Sequence, residues 1–586
     1  MPGRPPPATP PLPGYRWRTA DAPDAVARSL AAALDLPVPL AALLAARGHG
    51  TAAGAAAFLD PLGQKLADPL AAVPLREAAD RVQEAITAGG EMVVFGDFDV
   101  DGVVATALLT DLIRHLGGRV RHFLPDRHTE GYGLTPAALD RCLAGGTPAL
   151  FITVDCGMGA TELLAGLHAR GIRLLVTDHH TLAGRFPGDC LVVNPHQEAM
   201  PSPMRHLCGA GVAFQLACAL VKRRGDQPGE RRRLFGWLEA VAIATVADVV
   251  PLLGDNRTLV AYGLRALNRK PRVGLGELMR KSGISSSAID SYHLGFVLAP
   301  RLNAAGRMET AEPAFRLLTT DDVDEARALA IQLDNANALR QATEQELLIR
   351  ADEQLGAWFD AGRHGAVVVG GPGWHGGTVG IVAARLMNRH HRPAAVVALD
   401  DGGGGHGSIR AGHAYHAVEA LQACGEHLER MGGHARAAGF TLKRGAFEAF
   451  REAFAAACFA QVGAPSSCPE LMIDGWLQPD DLNQRLVDGM RRLEPFGEGH
   501  PRPCWGLRGV TFASPPRAIG ADGDHLRLDL RTAGGLPLQA VWFRAGAWLP
   551  LLAAHRGALD VAGEIQENDY GGTSGIQLVV RDARLG

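Results

Sequence analysis

A chain of 586 residues, 47% of them hydrophobic, can bury several cores, and its length points to three or four domains. A net charge of −4 excludes a uniformly basic nucleic-acid binder, so any contact with an anionic polymer must come from local arginine clusters. Nine scattered cysteines with no CxxC pair and no zinc-like spacing fit a reducing cytosol better than a disulfide framework.

Residues 1–20, rich in proline and without the apolar core of a signal peptide, read as a disordered arm, and an Ala-rich helical region follows over 21–72. The longest nearly uncharged apolar stretch, GAGVAFQLACALV, runs only about 13 residues before Lys222, Arg223 and Arg224, too short to span a bilayer. A cytoplasmic protein without membrane contact is the expectation.

Over 73–320 strand and helix patterns alternate, as a parallel α/β sheet demands. Here the run MVVFG leads into Asp97, Asp99 and Asp101, three carboxylates at alternate positions after a buried strand. Groups packed so closely repel one another and shift each other's ionisation unless a cation sits among them. Taken alone, the segment can also be read as a solvated acidic turn. Two more runs repeat the layout: FITV leads into Asp155, and IRLLV leads through Thr177 into Asp178, His179 and His180. Ligands of an open parallel sheet collect beyond the carboxyl ends of its strands, so these side chains should share one crevice. Asp248, after the apolar helical stretch Leu234 to Val246, can close the set or merely cap a helix.

From 321 to 360 the pattern becomes one long, charged helix, opened by Thr320 and an acidic first turn. At 1.5 Å per residue it would reach on the order of 50 Å, enough to link two lobes across a cleft. A second α/β region spans 361–465, with dense glycines in GGPGWHGGTVG, DGGGGHGSIRAG and GGHARAAG. Backbone without Cβ atoms approaches phosphate closely, and Ser408, Arg410 and His434 inside these loops add hydroxyl, guanidinium and imidazole donors. The competing reading is plain surface loops. Over 466–586, HLRLDLR, LPLQAVWFR, ALDVAGEIQE and GIQLVVRDARL alternate like the strands of a small β-barrel. Arg527, Trp542, Phe543 and Arg544 are its candidate nucleic-acid contacts, although a Trp in a short strand is more often core than platform.

GDFDVDG, VDCG, TDHH and ADVVPL, in this order, resemble the four motifs of the DHH phosphoesterases. APRLNAAGRM, WHGGTVGIVAARL, GHGSIR, GGHARAAGF and EPFGEGHPRP extend the resemblance to the RecJ single-strand-specific exonucleases within that superfamily. It implies a multidomain α/β fold: a parallel-sheet DHH catalytic domain, the long linking helix, a Gly-rich phosphate-binding domain and a C-terminal OB-fold barrel.

The same resemblance implies a 5′→3′ exonuclease on single-stranded DNA, with two divalent cations, manganese or magnesium. Asp97, Asp99, Asp101, Asp155, His179 and Asp248 would hold them, and His180 would touch the scissile phosphate. Asp101, Asp155 and His180 would form the catalytic group, with no Ser or Cys nucleophile. Arg307, Ser408, Arg410 and His434 would grip substrate phosphates, including the terminal 5′ one, while Asn303 shapes the floor. A monomer is expected; helicase, single-strand-binding and repair proteins are the partner classes that stay open. Departures from the family pattern are Cys156 for a common Asn, Ala411 for Ser and His500 for Asn; Cys156 is expected not to be a ligand. Two alternatives stand beside this reading. A small-substrate DHH phosphodiesterase would have no use for the barrel, and a catalytically dead nucleic-acid scaffold would have lost acids that are all present here. A pyrophosphatase is disfavoured, because Asp97 stands where that branch carries His.

Overall fold

The computed structural model describes residues 12, 14–20, 23–182, 184–284, 289–463, 469–568 and 575–586. They fall into two compact units: Met1–Gln64 with Ser466–Phe496 and His500–Gly586, and Lys65–Pro465 with Gly497–Gly499. Most of the arm expected over 1–20 lies outside the described residues. Its end does not, because Arg16–Thr19 forms strand β1. Helices α1 (Asp24–Leu34), α2 (Val38–Ala46) and α3 (Ala52–Leu59) then fill the expected Ala-rich region. Among the described residues no single helix is long and apolar enough to cross a membrane.

The second unit opens with helix α4 (Val73–Thr87) and a five-stranded, wholly parallel sheet of β2 (Glu91–Phe95), β3 (Arg119–Phe123), β4 (Leu150–Val154), β5 (Arg173–Thr177) and β6 (Leu191–Val193). Their order in space is β3-β2-β4-β5-β6. The chain leaves β2 for β3 on one side and returns to β4 on the other, so the crevice beyond the ends of β2 and β4 is the topological switch point. Strand β4 is buried along its whole length, as a central parallel strand covered on both faces must be.

Helix α5 (Val100–His115) follows β2, and α6 (Gly209–Arg223), α7 (Leu238–Ala247) and α8 (Ala299–Met308) complete the site's surroundings. Helix α9 (Val323–Trp358) is the predicted long helix; its 36 residues give a length of about 54 Å. Its N-cap is Asp322, which accepts from the Glu325 amide, while Thr320 bonds the Glu325 carboxylate. The buried stripe of α9 bridges two cores: Leu329, Ala330 and Leu333 join the core around the parallel sheet, and Leu347, Leu348, Ala351 and Leu355 join the next one. Between them the stripe turns polar. Buried Arg340 donates to Asn337 and Glu344, and Glu344 also pairs with Arg385.

The second sheet comprises β7 (Val367–Pro372), β8 (Ala394–Leu399), β9 (Gly405–Arg410), β10 (Leu428–Gly433) and β11 (Ala437–Leu442), in the order β10-β11-β9-β8-β7. Only β7 and β8 run parallel. Helix α10 (Val379–His390) packs on this sheet.

In the first unit, β12 (Glu470–Ile473) pairs in parallel with β1. The barrel is built from β13 (Gly475–Trp476), β14 (Trp505–Phe512), β15 (Arg517–Ile519), β16 (His525–Arg531), β17 (Pro537–Trp542), β18 (Leu559–Asn568) and β19 (Gly575–Leu585). Their order is β13-β14-β18-β19-β17-β16-β15, and a further β14–β16 pairing closes the sheet on itself.

Candidate metal centre

Because β2, β4 and β5 are neighbours in the sheet, the acids that follow them meet at one crevice. Asp97 is fully buried just past β2. Asp99 caps α5, accepting from the Asp101 and Gly102 amides at 3.0 and 3.2 Å. Asp101 lies in the first turn of α5 and reaches the start of α6, where the Gly209 and Ala210 amides donate to its carboxylate at 2.6 and 2.8 Å. Asp155 ends β4 in the left-handed region, φ 57°, a conformation that Asp tolerates better than most residues. His179 Nε2 lies 3.2 Å from Asp155 Oδ1, 3.5 Å from Asp248 Oδ2 and 3.8 Å from Asp101 Oδ2.

The donor atoms form three overlapping trios, each within 4.8 Å: Asp97, Asp99 and Asp155; Asp101, His179 and Asp248; and Asp155, His179 and His180. Both Asp97 oxygens, Asp155 Oδ1, His179 Nε2 and Asp248 Oδ2 are buried without a hydrogen-bond partner among the described residues. Burial, then the Asp99 charge, pushes the Asp97 carboxyl up to about 8 and Asp101 to about 6. Asp155 and Asp248 are driven well above the carboxylate range by burial and by Asp101. Burial, then His180, holds His179 down at about 3, so it presents a neutral imidazole. Desolvated, mutually repelling oxygens with one neutral nitrogen fit hard divalent cations, which would neutralise them.

His180 stands at the rim. Its Nδ1 is 2.7 Å from Asp178 Oδ1, and its Nε2 is 3.2 Å from the Tyr132 hydroxyl. Cys156 lies outside all three trios. It is buried with its thiol toward the Phe95 carbonyl, and burial raises its pKa well above the usual thiol value.

The phosphate-gripping candidates gather where α8 meets the Gly-rich loops. Arg307 Nη1 donates to the Gly377 carbonyl at 3.3 Å, and Arg410 Nη1 to Ser408 Oγ at 2.9 Å. Burial, then the Arg127 charge, lowers both guanidinium pKa values, Arg307 to about 9. His434 lies at the surface with its ring partly desolvated, and this, then the Arg410 and His180 charges, lowers its pKa. Asn303 holds the site from outside: its Oδ1 accepts from the Val100 amide at 2.8 Å.

The sequence reading missed Arg127, whose half-buried guanidinium lies 4.1 Å over the Phe98 ring and feels Asp97 and Asp99. It missed the α6 amides too; the only trace of them is the glycine pair in LCGAGVAF.

In the barrel one candidate is corrected. Trp542 is 3% exposed and stacks on Trp548 at 5.0 Å, because alternation along β17 turns it inward with Leu538 and Ala540. Arg527, Phe543 and Arg544 are exposed. His500 is buried as well, between Phe58 and Phe496, with Nδ1 2.9 Å from Arg47 and Nε2 2.9 Å from the Leu493 carbonyl. Ala411 is buried, and its amide donates to the Arg436 carbonyl.

The DHH family N-terminal domain profile matches residues 91–245, the DHHA1 domain profile residues 364–459 and the RecJ OB domain profile residues 473–582. The single-stranded-DNA-specific exonuclease RecJ of Thermus thermophilus is 36% identical over 89% of this chain and 73% of its own length. That of Bacillus subtilis is 33% identical over 97% and 71%. The crystal structure of RecJ from Thermus thermophilus with Mn2+ superposes with a TM-score of 0.82 at 33% identity, covering 97% of this chain and 79% of that one. The complex with Mg2+ gives 0.76 at 32% identity, covering 97% and 78%. With these three domain profiles and matches that cover nearly all of this chain in sequence and fold, this chain belongs to the RecJ family of DHH proteins.

Proposed function

We propose that the protein is a metal-dependent exonuclease that degrades single-stranded DNA from the 5′ end and releases 5′ mononucleotides in repair and recombination. One observation carries the reading: buried, unpartnered carboxylate oxygens of Asp155 and Asp248 face His179, those of Asp97 gather with Asp155, and Arg127, Arg307 and Arg410 are desolvated nearby. Carboxylates wanting cations beside guanidiniums wanting anions suit phosphodiester hydrolysis. The relatives, single-stranded-DNA-specific exonucleases by name, support the substrate; the family resemblance supports the polarity.

Asp97, Asp99, Asp101, Asp155, His179 and Asp248 would hold two divalent cations. When bound, such a pair lowers the pKa of a shared water and neutralises charge building on the phosphoryl oxygens. The chain's own residues orient the substrate. Arg127 and His180 face the scissile phosphate, and Arg307, Ser408, Arg410 and His434 grip the terminal 5′ phosphate and its neighbour. Asn303 and the α6 amides keep the acids in place, and the barrel holds the rest of the strand by stacking and charge.

The test is digestion, with manganese, of single-stranded DNA labelled at either end, beside its duplex and an RNA of the same sequence. Release of 5′-labelled mononucleotide from single-stranded DNA alone is expected. Intact DNA with rapid cleavage of a dinucleotide would overturn the reading in favour of a small-substrate phosphodiesterase.

A further inference from the structure

Resting on that functional reading, we propose that Tyr132 is a positioning residue for hydrolysis: its hydroxyl fixes the His180 imidazole so that Nε2 faces the scissile phosphate.

The His180 ring is held at both ends. Asp178 Oδ1 accepts from the His180 backbone NH at 3.0 Å and lies 2.7 Å from its Nδ1, while Asp178 Oδ2 accepts from the Met158 NH at 3.0 Å. A carboxylate only accepts, so Nδ1 carries a proton and Nε2 is the atom left to act. That atom is 3.2 Å from the Tyr132 hydroxyl. The bond sets the tilt of the ring, so Tyr132 acts through His180 and not on the substrate itself.

The mount of Tyr132 argues against a packing role. Its side chain is 57% exposed and meets Phe98 and His180 only edge-on, at ring distances of 5.9 and 6.3 Å. It stands between Gly131 and Gly133, both left-handed at φ 86° and 64°. Two successive turns that L side chains resist push the phenol out of the loop toward His180. The loop is anchored just before them, where the Glu130 carboxylate accepts from the Asp126 amide at 2.7 Å and pairs with Arg141. An aromatic held out of the core on a braced two-glycine mount, with its hydroxyl bonded to the nitrogen that the substrate needs, serves the reaction.

The experiment is a double-mutant cycle under single-turnover conditions on single-stranded DNA with manganese. Tyr132→Phe keeps the ring and is expected to lower kcat about tenfold at unchanged KM, the signature of an interaction used in the transition state. In the His180→Gln background the same change is expected to have no further effect. Strand affinity measured in chelator is expected to stay at the wild-type value. Full kcat in Tyr132→Phe, an equal fall in both backgrounds, or a loss confined to strand affinity overturns the proposal. A wild type that cleaves no phosphodiester overturns the functional reading and this role with it; an active wild type with an additive cycle overturns this role alone.

Discussion

Asn303 accepts a hydrogen bond at 2.8 Å from the backbone NH of Val100, tying α8 to the first turn of α5 between Asp99 and Asp101. Gly306 allows the approach, since a Cβ there would lie 2.5 Å from the Phe98 carbonyl oxygen. Asn303→Ala leaves a donor at a buried residue without its partner, a cost of about 1–3 kcal/mol. Removing such outer support lowers metal affinity by roughly 10–100-fold. The manganese dependence of hydrolysis should therefore shift to higher concentration and recover near-full activity at saturation; an unshifted titration would remove Asn303 from the account.

Asp155 belongs to two of the three donor trios and sits at positive φ. Asp155→Asn keeps the volume and the tolerance of left-handed backbone while removing the charge. Hydrolysis should fall by roughly 100-fold or more, since metal charge stabilisation carries several kcal/mol. Strand binding in chelator should hold, and calorimetry should show weaker manganese binding. Undiminished hydrolysis would sink the metal assignment.

Gly209 is a sharper probe, because it binds nothing through a side chain. A Cβ there would lie 2.6 to 2.7 Å from Asp155 Cβ, Cγ and Oδ1. Gly209→Ala at a helix start costs little intrinsically and improves helix propensity. Its thermal midpoint should stay close to the wild type, within a few degrees, while activity drops at least about tenfold as Asp155 or the α6 amides are displaced by a fraction of an ångström. Unchanged activity with an unchanged melt would mean that the crevice relaxes freely around its acids.

Arg410 and Arg307 are desolvated, and each feels other arginine charges that an anion would relieve. Arg410→Gln should reduce the preference for a 5′-phosphorylated over a 5′-hydroxyl strand by about 10- to 150-fold, the 1.5–3 kcal/mol of a charge-assisted hydrogen bond. Competition between the two substrates reads this directly. An equal loss on both would make Arg410 a general phosphate contact.

The candidate metal centre was legible because the residues that would hold the cations are side chains placed by a local rule: an apolar run, then an acid, at the carboxyl end of a parallel strand. Asp97, Asp155 and His179 follow that rule, and the sheet order makes them neighbours. What supports them was not legible. The Gly209 and Ala210 amides are backbone groups with no residue-type signature, and Arg127 follows its strand in a loop that no spacing marks out. Strand β1 was hidden in a Pro-rich arm because its partner lies at Glu470–Ile473, a pairing set by tertiary contact rather than local propensity. Trp542 was ambiguous because an amphipathic aromatic at a strand's end suits either face, and only the register with Leu526 settles which.

That register also separates binding from stability in the barrel. Trp542 is buried against Trp548, whereas Phe543 is 56% exposed and meets His525 edge-on at 5.3 Å, beside the exposed Arg544 and Arg527. Deleting the barrel outright would confound the two effects, because β12 and β1 form one small sheet and removal of the former strands the latter. Point variants avoid this. Phe543→Ala removes a stacking face worth about 1–3 kcal/mol per base, so strand affinity should weaken about 5- to 150-fold with an unchanged melting temperature. Trp542→Ala opens a cavity in the barrel core and should lower the melting temperature, at a cost of about 3–5 kcal/mol. Fluorescence anisotropy with a single-stranded oligonucleotide and a thermal melt on each variant separate the outcomes. If Phe543→Ala binds like the wild type, the strand does not use this end of β17, and the search moves to another face of the barrel.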